Sequence, residues 1–250
     1  MKGIIFDFGH TLMEFHGEWP PVEEEGAARL TRFLSDKGVT PPAEFASYFV
    51  KKRHDEGEKS DVTCVEYTAR EALLESLRHF GISLNGNAAG LVENALEVYF
   101  SPEEDGWYAY PDAHEALDKL RAAGYRIGMI SNATDHPFIL RCAEKLGFTP
   151  YLDPILSSAA FHSRKPHPQI FWSVANGWKM KYDQVIMVGD QLYYDVFGAH
   201  QSGMRAVWIE RNAEKAYTYV PEHLKSHPQL VPDRTITALS ELPEAVKAIR

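Results

Sequence analysis

The chain contains few cysteines, a deficit of positive charge and no long apolar run. Its 250 residues include two cysteines, Cys64 and Cys142, which form no metal-binding or redox motif. No apolar stretch approaches the roughly 20 residues that a membrane-spanning helix needs, and Asp7 interrupts the first one too early for a secretory signal. Lysines and arginines number 26 against 35 acidic residues, and the net charge of −9 argues against general binding to nucleic acid or anionic membranes. We therefore expect a cytoplasmic protein in a reducing compartment, with no nucleic-acid or membrane partner.

The remaining composition is that of an ordinary globular chain, with 44% hydrophobic and 24% charged residues. After residue 110, predicted strands alternate with predicted helices, which implies right-handed crossovers and a parallel sheet with helices on both faces. A strand at residues 2–7 is separated from this region by a stretch without a convincing strand. The spacing of apolar residues predicts four helices in that stretch, at residues 22–37, 42–54, 61–80 and 86–100. The expected fold is therefore α/β, with a three-layer Rossmann-like core of residues 1–15 and 105–250 and an inserted all-helical cap of residues 16–104.

Two predicted strands far apart in the chain each end in an aspartate. Residues 2–6 lead into Asp7, and residues 185–189 lead into Asp190, with Asp195 shortly after it. An apolar run that stops at an acid is typical of a central parallel strand whose carboxyl end carries an active-site side chain. If both strands lie in one sheet, three carboxylates converge, and a pair about 4 Å apart repels by roughly 4 kcal/mol at an effective dielectric constant near 20. Such a cluster needs a counter-charge, and we expect Mg²⁺, which prefers oxygen ligands.

Four short motifs follow one another along the chain. They are Asp7…Thr11, Ser131-Asn132, Lys165-Pro166 and Gly189-Asp190…Asp195. Together they resemble the haloacid dehalogenase superfamily, most of whose members are phosphatases. The resemblance covers nearly the whole chain, including a helical cap inserted after the first motif. It implies a hydrolase that acts on a small phosphorylated substrate with Mg²⁺.

The resemblance implies catalytic roles for three of these residues. Asp7 would attack phosphorus and form an aspartyl-phosphate. Lys165 would pair with the nucleophile and the phosphoryl group, while Ser131 would hydrogen-bond a phosphoryl oxygen, helped by backbone N–H groups around Asn132. Considered singly, a strand-end aspartate and a Ser-Asn pair are also ordinary turn residues. Arg164, beside the lysine, is expected to be exposed to solvent.

The resemblance also implies the metal ligands. Asp190 would bind Mg²⁺ directly, together with Asp7 and the backbone carbonyl of Gly9. Asp195 would contact the ion through water or orient the lysine, and its alternative role is helix capping. Thr11 would fix the first loop and touch the phosphoryl-binding region, or would serve as a structural hydroxyl.

One position departs from the family pattern. Phosphatases of the family carry a general acid and base aspartate two residues after the nucleophile, where this chain has Gly9, and His10 stands where glycine is usual. Both residues are expected near the bound phosphate. Positioned proton transfer contributes about 10²–10⁴ in rate. The enzyme could therefore be slow on alkyl phosphates, could prefer acyl or aryl phosphates, or could use another acid such as His10, whose alternative role is structural.

The leading hypothesis is a Mg²⁺-dependent phosphatase that acts on a small phosphorylated metabolite through Asp7. The alternatives are a slow or non-catalytic phosphate-binding regulatory protein, and a dehalogenase or phosphonatase-like hydrolase. The dehalogenase branch of the family has a tyrosine at the position of Gly9 and works without a metal, whereas Asp190 and Asp195 favour a cation. The sequence indicates neither the substrate nor the oligomeric state.

Overall fold

A computed structural model describes residues 2–83, 88–211 and 220–249 of the chain. The strands are β1 (Gly3–Phe6), β2 (Met13–Phe15), β3 (Trp107–Ala109), β4 (Arg126–Ser131), β5 (Ile155–Ser157), β6 (Val185–Gly189), β7 (Arg205–Ile209) and β8 (Arg234–Ile236). Six of them form one sheet in the order β5-β4-β1-β6-β7-β8, and each neighbouring pair is parallel. The predicted α/β fold with a parallel sheet is confirmed.

Helices connect the strands. They are α1 (Trp19–Asp36), α2 (Phe45–Thr63), α3 (Ala69–His79), α4 (Ala88–Gly106), α5 (Ala113–Ala122), α6 (His136–Lys145), α7 (Ser158–Phe161), α8 (Pro168–Trp178), α9 (Gly198–Gln201) and α10 (Leu242–Lys247). A short π-helical segment, Leu192–Phe197, precedes α9. No helix in the described ranges has the length and apolar character to cross a bilayer.

The central strand β1 is buried on both faces, as a parallel strand between two helical layers must be. Its side chains alternate between the two layers because successive residues of a strand point to opposite faces. Ile4 and Phe6 join the larger cluster of buried apolar residues, and Ile5 joins the smaller one. Burial on both faces fixes the position of β1 in the sheet and therefore the position of Asp7, which follows it.

Four helices, α1 to α4, form an insertion between two short strands. These strands, β2 and β3, pair antiparallel with Phe15 opposite Trp107 and Met13 opposite Ala109. The sequence analysis missed both strands, because three residues are too few to show an alternating pattern. The pair brings the chain back beside the point where it left the core.

The third predicted helix, at residues 61–80, is wrong in its first half. The preceding helix α2 continues to Thr63 and ends at Cys64, whose φ of 56° places it in the left-handed region. Helix α3 then begins after Thr68, which forms a capping box with Glu71. Helix α4 runs on to Gly106, beyond the predicted residue 100, and the predicted start at residue 86 lies outside the described residues.

Candidate active site

Three aspartates meet at the carboxyl ends of the central strands. Asp7 follows β1 and Asp190 follows β6, and these strands are neighbours with Phe6 opposite Val188. The backbone N–H of Asp7 donates to the carbonyl of Val188 at 2.8 Å, which continues the ladder to the aspartate. Asp7, Asp190 and Asp195 are buried and offer carboxylate oxygens that all lie within 4.8 Å of one another. The structure therefore brings together the three acids on which the metal prediction depends.

Asp195 reaches the cluster from the π-helical segment. The backbone N–H of Gln191 donates to its Oδ2 at 3.0 Å. A side chain at Gly189 would collide with the Asp195 carboxylate, so the glycine permits this close approach. Burial raises the pKa of Asp195 to about 6, against the opposing effect of Lys165.

Lys165 supplies one buried positive charge to the cluster. Its Nζ donates to Asp7 Oδ1 and to Asp195 Oδ1, each at 2.6 Å. Burial lowers the pKa of this ammonium, but the charges of Asp195 and Asp7 outweigh burial and raise its pKa above the ordinary value. Asp190 has a pKa well above its usual range, first because it is buried and then because Asp7 and Asp195 repel its charged form. One ammonium among three carboxylates leaves excess negative charge, and oxygen ligands at this spacing fit a hard divalent cation.

The side chain of Asn132 fixes the backbone of the lysine. Its Nδ2 donates to the carbonyl of Lys165 at 3.0 Å, and its Oδ1 accepts from the N–H of Lys165 at 2.9 Å. The sequence analysis expected only backbone N–H groups to act at this position. Ser131, the last residue of β4, is buried and lines the same cavity as Asp7.

Thr11 and His10 lie on the loop that follows β1. Thr11 is fully buried, and its hydroxyl donates to Asp7 Oδ2 at 3.3 Å, so it helps to fix that carboxylate. His10 is exposed, has a left-handed φ of 58°, and places its ring 5.3 Å from the ring of Trp107.

Gly9 lies against an aromatic ring of the returning chain. A Cβ placed on it would be 3.3 Å from the outer edge of the Trp107 indole, which is tighter than an ordinary contact. A side chain at this position would therefore fit only if the Trp107 indole shifted by a few tenths of an ångström.

A cavity of about 400 Å³ opens in front of Asp7. Core residues and residues of α1, α2 and α4 line it together. Sequence reasoning did not find several of these lining residues, namely Glu23, Arg53, Glu66, Glu103 and Arg164. They belong to no recognised motif, and only the packing of the insertion on the core brings them to the site.

Two arginines on this cavity are largely buried. Arg164, expected to be exposed, has 14% of its side chain exposed and lies 3.3 Å from Asp61 and 3.7 Å from Glu66, so that expectation is wrong. Arg53 donates to the hydroxyls of Tyr99 and Thr134 at 2.5 and 3.1 Å. Each arginine thus joins the helical insertion to the core. Arg53 of α2 bonds Thr134 of a core loop, and Arg164 of a core loop lies against acids of the insertion.

Comparisons with known proteins agree with this arrangement. A family model described as a haloacid dehalogenase-like hydrolase matches residues 1–203. The chain is 26% identical over 245 residues to the ribulose-1,5-bisphosphate 5-phosphatase of Halopiger xanaduensis, which covers 97% of this chain and 98% of that protein. It is 29% identical to (S)-2-haloacid dehalogenase 4A of Burkholderia cepacia over 228 residues, and the matched region covers 88% of each protein.

A solved structure shows a similar fold over the full length. The 2-haloacid dehalogenase from Pseudomonas syringae pv. Tomato DC3000 matches with a TM-score of 0.70 at 23% identity, over 99% of this chain and 98% of that chain. Since the relatives' names include both phosphatases and dehalogenases, the reaction has to be argued from the side chains of the site.

Proposed function

The chain belongs to the haloacid dehalogenase-like hydrolase family, and we propose that it is a Mg²⁺-dependent phosphatase of a small phosphorylated metabolite. One observation carries the proposal. Three buried carboxylates lie within 4.8 Å of one another with a single lysine bonded to two of them. A hydrolase that works without a metal does not need this excess of negative charge, whereas a divalent cation would offset it and so allow an anionic phosphoryl group to bind.

The cation would be held by side chains already directed at one another. Asp7, Asp190 and the backbone carbonyl of Gly9 would bind Mg²⁺ directly, and Asp195 would reach it through water. When bound, the ion would offset the repulsion among the carboxylates and polarise a phosphoryl oxygen.

Asp7 is the proposed nucleophile. One of its carboxylate oxygens attacks phosphorus, the bond from phosphorus to the leaving oxygen breaks, and the leaving group departs with the electron pair. Water then attacks the aspartyl-phosphate, which releases inorganic phosphate and restores the carboxylate. Lys165 and the Ser131 hydroxyl would stabilise charge on the phosphoryl oxygens during both steps.

The four inserted helices are proposed to act as a cap. Helices α1, α2 and α4 contribute residues to the cavity wall, including Glu23, Arg53 and Glu103. A substrate bound at Asp7 would therefore touch the insertion with the part of the molecule that is not transferred. Discrimination among phosphate esters is assigned to these side chains.

Gly9 supports a second candidate, a phosphate-binding protein that turns over slowly. No titratable side chain stands two residues after the nucleophile, and a Cβ at this position would lie 3.3 Å from the Trp107 ring. Leaving groups that depart as stable anions, such as phenolates and carboxylates, need no proton from the protein. The proposed enzyme is therefore expected to prefer aryl and acyl phosphates over alkyl phosphates.

The test is hydrolysis of an activated aryl phosphate with and without Mg²⁺. Turnover should need the metal and should disappear in Asp7→Asn, whereas Asp55→Asn, which changes an exposed aspartate paired with Lys51 on α2, should retain it. Measurable phosphate-ester binding without turnover across a broad panel would favour the binding protein. Metal-independent chloride release from a 2-haloacid would overturn the phosphatase proposal in favour of dehalogenation.

A further inference from the structure

One segment of the insertion contacts three core loops that carry or adjoin proposed site residues, namely those of Ser131, Lys165 and Asp195. We call this segment, residues 61–69, the seam. It runs from the last turn of α2 to the first residue of α3. Its partners lie after β4, before α8 and in the π-helical segment.

The first contact is with the loop that follows Ser131, the last residue of β4. The backbone N–H of Ala69 donates to the carbonyl of Thr134 at 2.9 Å. Arg53 of α2 donates to the hydroxyl of the same threonine at 3.1 Å, so backbone and side-chain bonds hold this loop from one side.

The second contact is with the loop that carries the lysine. The backbone N–H of Arg164 donates to the carbonyl of Cys64 at 3.0 Å, and the N–H of Glu66 donates to the carbonyl of His162 at 3.4 Å. These bonds form an antiparallel bridge between Val65 and Ser163. The Glu66 side chain is buried, and the Arg164 guanidinium lies 3.7 Å from its carboxylate. This loop is therefore held by the seam immediately before Lys165.

The third contact joins two catalytic loops through a single oxygen. Oδ1 of Asp61 accepts a hydrogen bond from the Tyr194 hydroxyl at 3.0 Å and lies 3.3 Å from a guanidinium nitrogen of Arg164. Arg164 directly precedes Lys165, and Tyr194 directly precedes Asp195. Lys165 and Asp195 are themselves bonded at 2.6 Å. Asp61 thus holds the two residues that stand next to the two members of a buried ion pair.

We propose that Asp61 is a positioning residue, which acts through Arg164 and Tyr194 to fix the Lys165–Asp195 pair in its catalytic geometry. The proposal rests on the proposed phosphatase function for its kinetic consequence. It makes the insertion part of the machinery that aligns the lysine, in addition to forming the cavity wall. An acid on the helical insertion therefore controls groups of the core that it does not touch.

Kinetics and hydrogen exchange of Asp61→Ala test the proposal, with Asp55→Ala on the same helix as the matched control. Misplacement of reacting groups by about 1 Å can lower the rate on the order of 100-fold. Because Asp61 is 42% exposed, its contacts compete with water and their loss should have a smaller effect. We therefore expect kcat to fall about tenfold. KM should change less than kcat, because Lys165 is proposed to act mainly on charge that develops during transfer, whereas Ser131 still contacts the bound phosphoryl group. Amide exchange in peptides spanning residues 162–166 and 191–196 should become faster, while the melting temperature should stay close to that of Asp55→Ala.

The outcomes separate this proposal from the proposed function. Unchanged exchange, or faster exchange with unchanged kcat, would overturn the role of Asp61 even if the wild type is an active phosphatase. A wild type without turnover would defeat the proposed function, and exchange alone would then decide whether Asp61 orders the two loops. If Asp61→Ala does not fold, Tyr194→Phe removes one of the two contacts and should give a smaller change in the same direction.

Discussion

At the scale of single residues, the site combines one ammonium with three carboxylates. Lys165 donates to Asp7 and Asp195 at 2.6 Å, and the third acid, Asp190, is bonded by the amide of Gln191 at 2.6 Å. An amide carries no net charge, so the cluster keeps an excess of negative charge. Burial raises the pKa of Asp190, and the negative charges of Asp7 and Asp195 raise it further. A divalent cation would offset the excess charge, which is why it suits the site.

The contact between Gly9 and Trp107 bears on the absent general acid and base aspartate. Gly9 has space only up to the Trp107 indole, whose nearest ring carbon would be 3.3 Å from an added Cβ. A larger residue can enter if the indole shifts by a few tenths of an ångström. The indole is buried and packs against three other aromatic rings, and its Nε1 donates one long hydrogen bond to Glu103 at 3.5 Å. The Gly9→Asp prediction depends on a shift of only a few tenths of an ångström within this packing.

We predict that Gly9→Asp raises turnover of alkyl phosphates. A carboxyl group at this position could protonate the departing alkoxide, a contribution that is typically about 10²–10⁴ in rate, and we expect at least tenfold. The increase should be small for aryl phosphates, whose leaving groups need no proton. Steady-state kinetics on a matched pair of alkyl and aryl esters measures the difference.

Gly9→Ala is the control for that experiment. It adds the Cβ that contacts Trp107 but no acid, so any effect of the indole shift appears in both variants. A folded Gly9→Asp variant that is no faster than Gly9→Ala on alkyl phosphates would contradict our explanation of the glycine.

The residues of the site that could be predicted from the sequence are those in motifs. Asp7 and Asp190 end apolar runs, and the structure places them side by side because the runs are neighbouring parallel strands. Arg53 and Glu103 could not be predicted, because their positions depend on how four amphipathic helices pack on the core. Arg164 was misjudged since a lone arginine gives no sign of the buried Glu66 that it faces.

At the scale of elements, helix α4 connects the cavity to the returning strand β3. Its last turns carry Glu103, and the helix ends at Gly106, directly before Trp107. Burial raises the pKa of Glu103 to about 7, although the charge of Arg53 opposes this shift. This carboxyl group therefore titrates near neutral pH.

We predict that Glu103→Gln becomes more stable relative to the wild type as pH rises. Between the ordinary pKa of 4.5 and about 7, the folded chain keeps a proton that the unfolded chain has released. Since the unfolded state then binds fewer protons, the contribution of Glu103 to stability falls as pH rises through this window. The free energy of unfolding of the variant minus that of the wild type should increase by roughly 1–3 kcal/mol between pH 5 and pH 8. Urea unfolding at the two pH values measures it.

A neighbouring glutamate provides the control. Glu104 lies on the same turn of α4 as Glu103 and is ion-paired with Arg141 of α6 at 2.8 Å. Glu104→Gln removes a carboxyl group from the same turn as Glu103 and is measured at the same two pH values. If the two variants show the same pH dependence, the buried carboxyl of Glu103 is not its source.

Helices and strands could be predicted from the sequence where they are long enough for their buried residues to recur at a regular spacing. The central strands and most helices have such patterns, and the parallel sheet followed from their alternation. Strands β2 and β3 have three residues each and exist because they close the base of the insertion. The boundary between α2 and α3 was misplaced, because Val65 suits a helical stripe although it lies on the seam and is 46% exposed.

At the scale of the whole molecule, an acidic chain surrounds the proposed metal site. The net charge is −9, and the cavity wall adds Glu23, Glu66 and Glu103 to the three aspartates. Arg53, Arg164 and Lys165 supply positive charge on the same wall. A phosphate ester would therefore bind far better together with Mg²⁺ than alone, and the seam ties the insertion to the loops on which both would depend.

The most direct measurement of the central claim is mass spectrometry of protein quenched during turnover of an aryl phosphate with Mg²⁺. We predict one phosphoryl group, located on Asp7 by peptide mapping, present in the wild type and absent in Asp7→Asn. The adduct should accumulate, since no acid or base at Gly9 assists its hydrolysis. Turnover with no adduct at Asp7, or with a phosphoryl group on a different residue, would contradict the account.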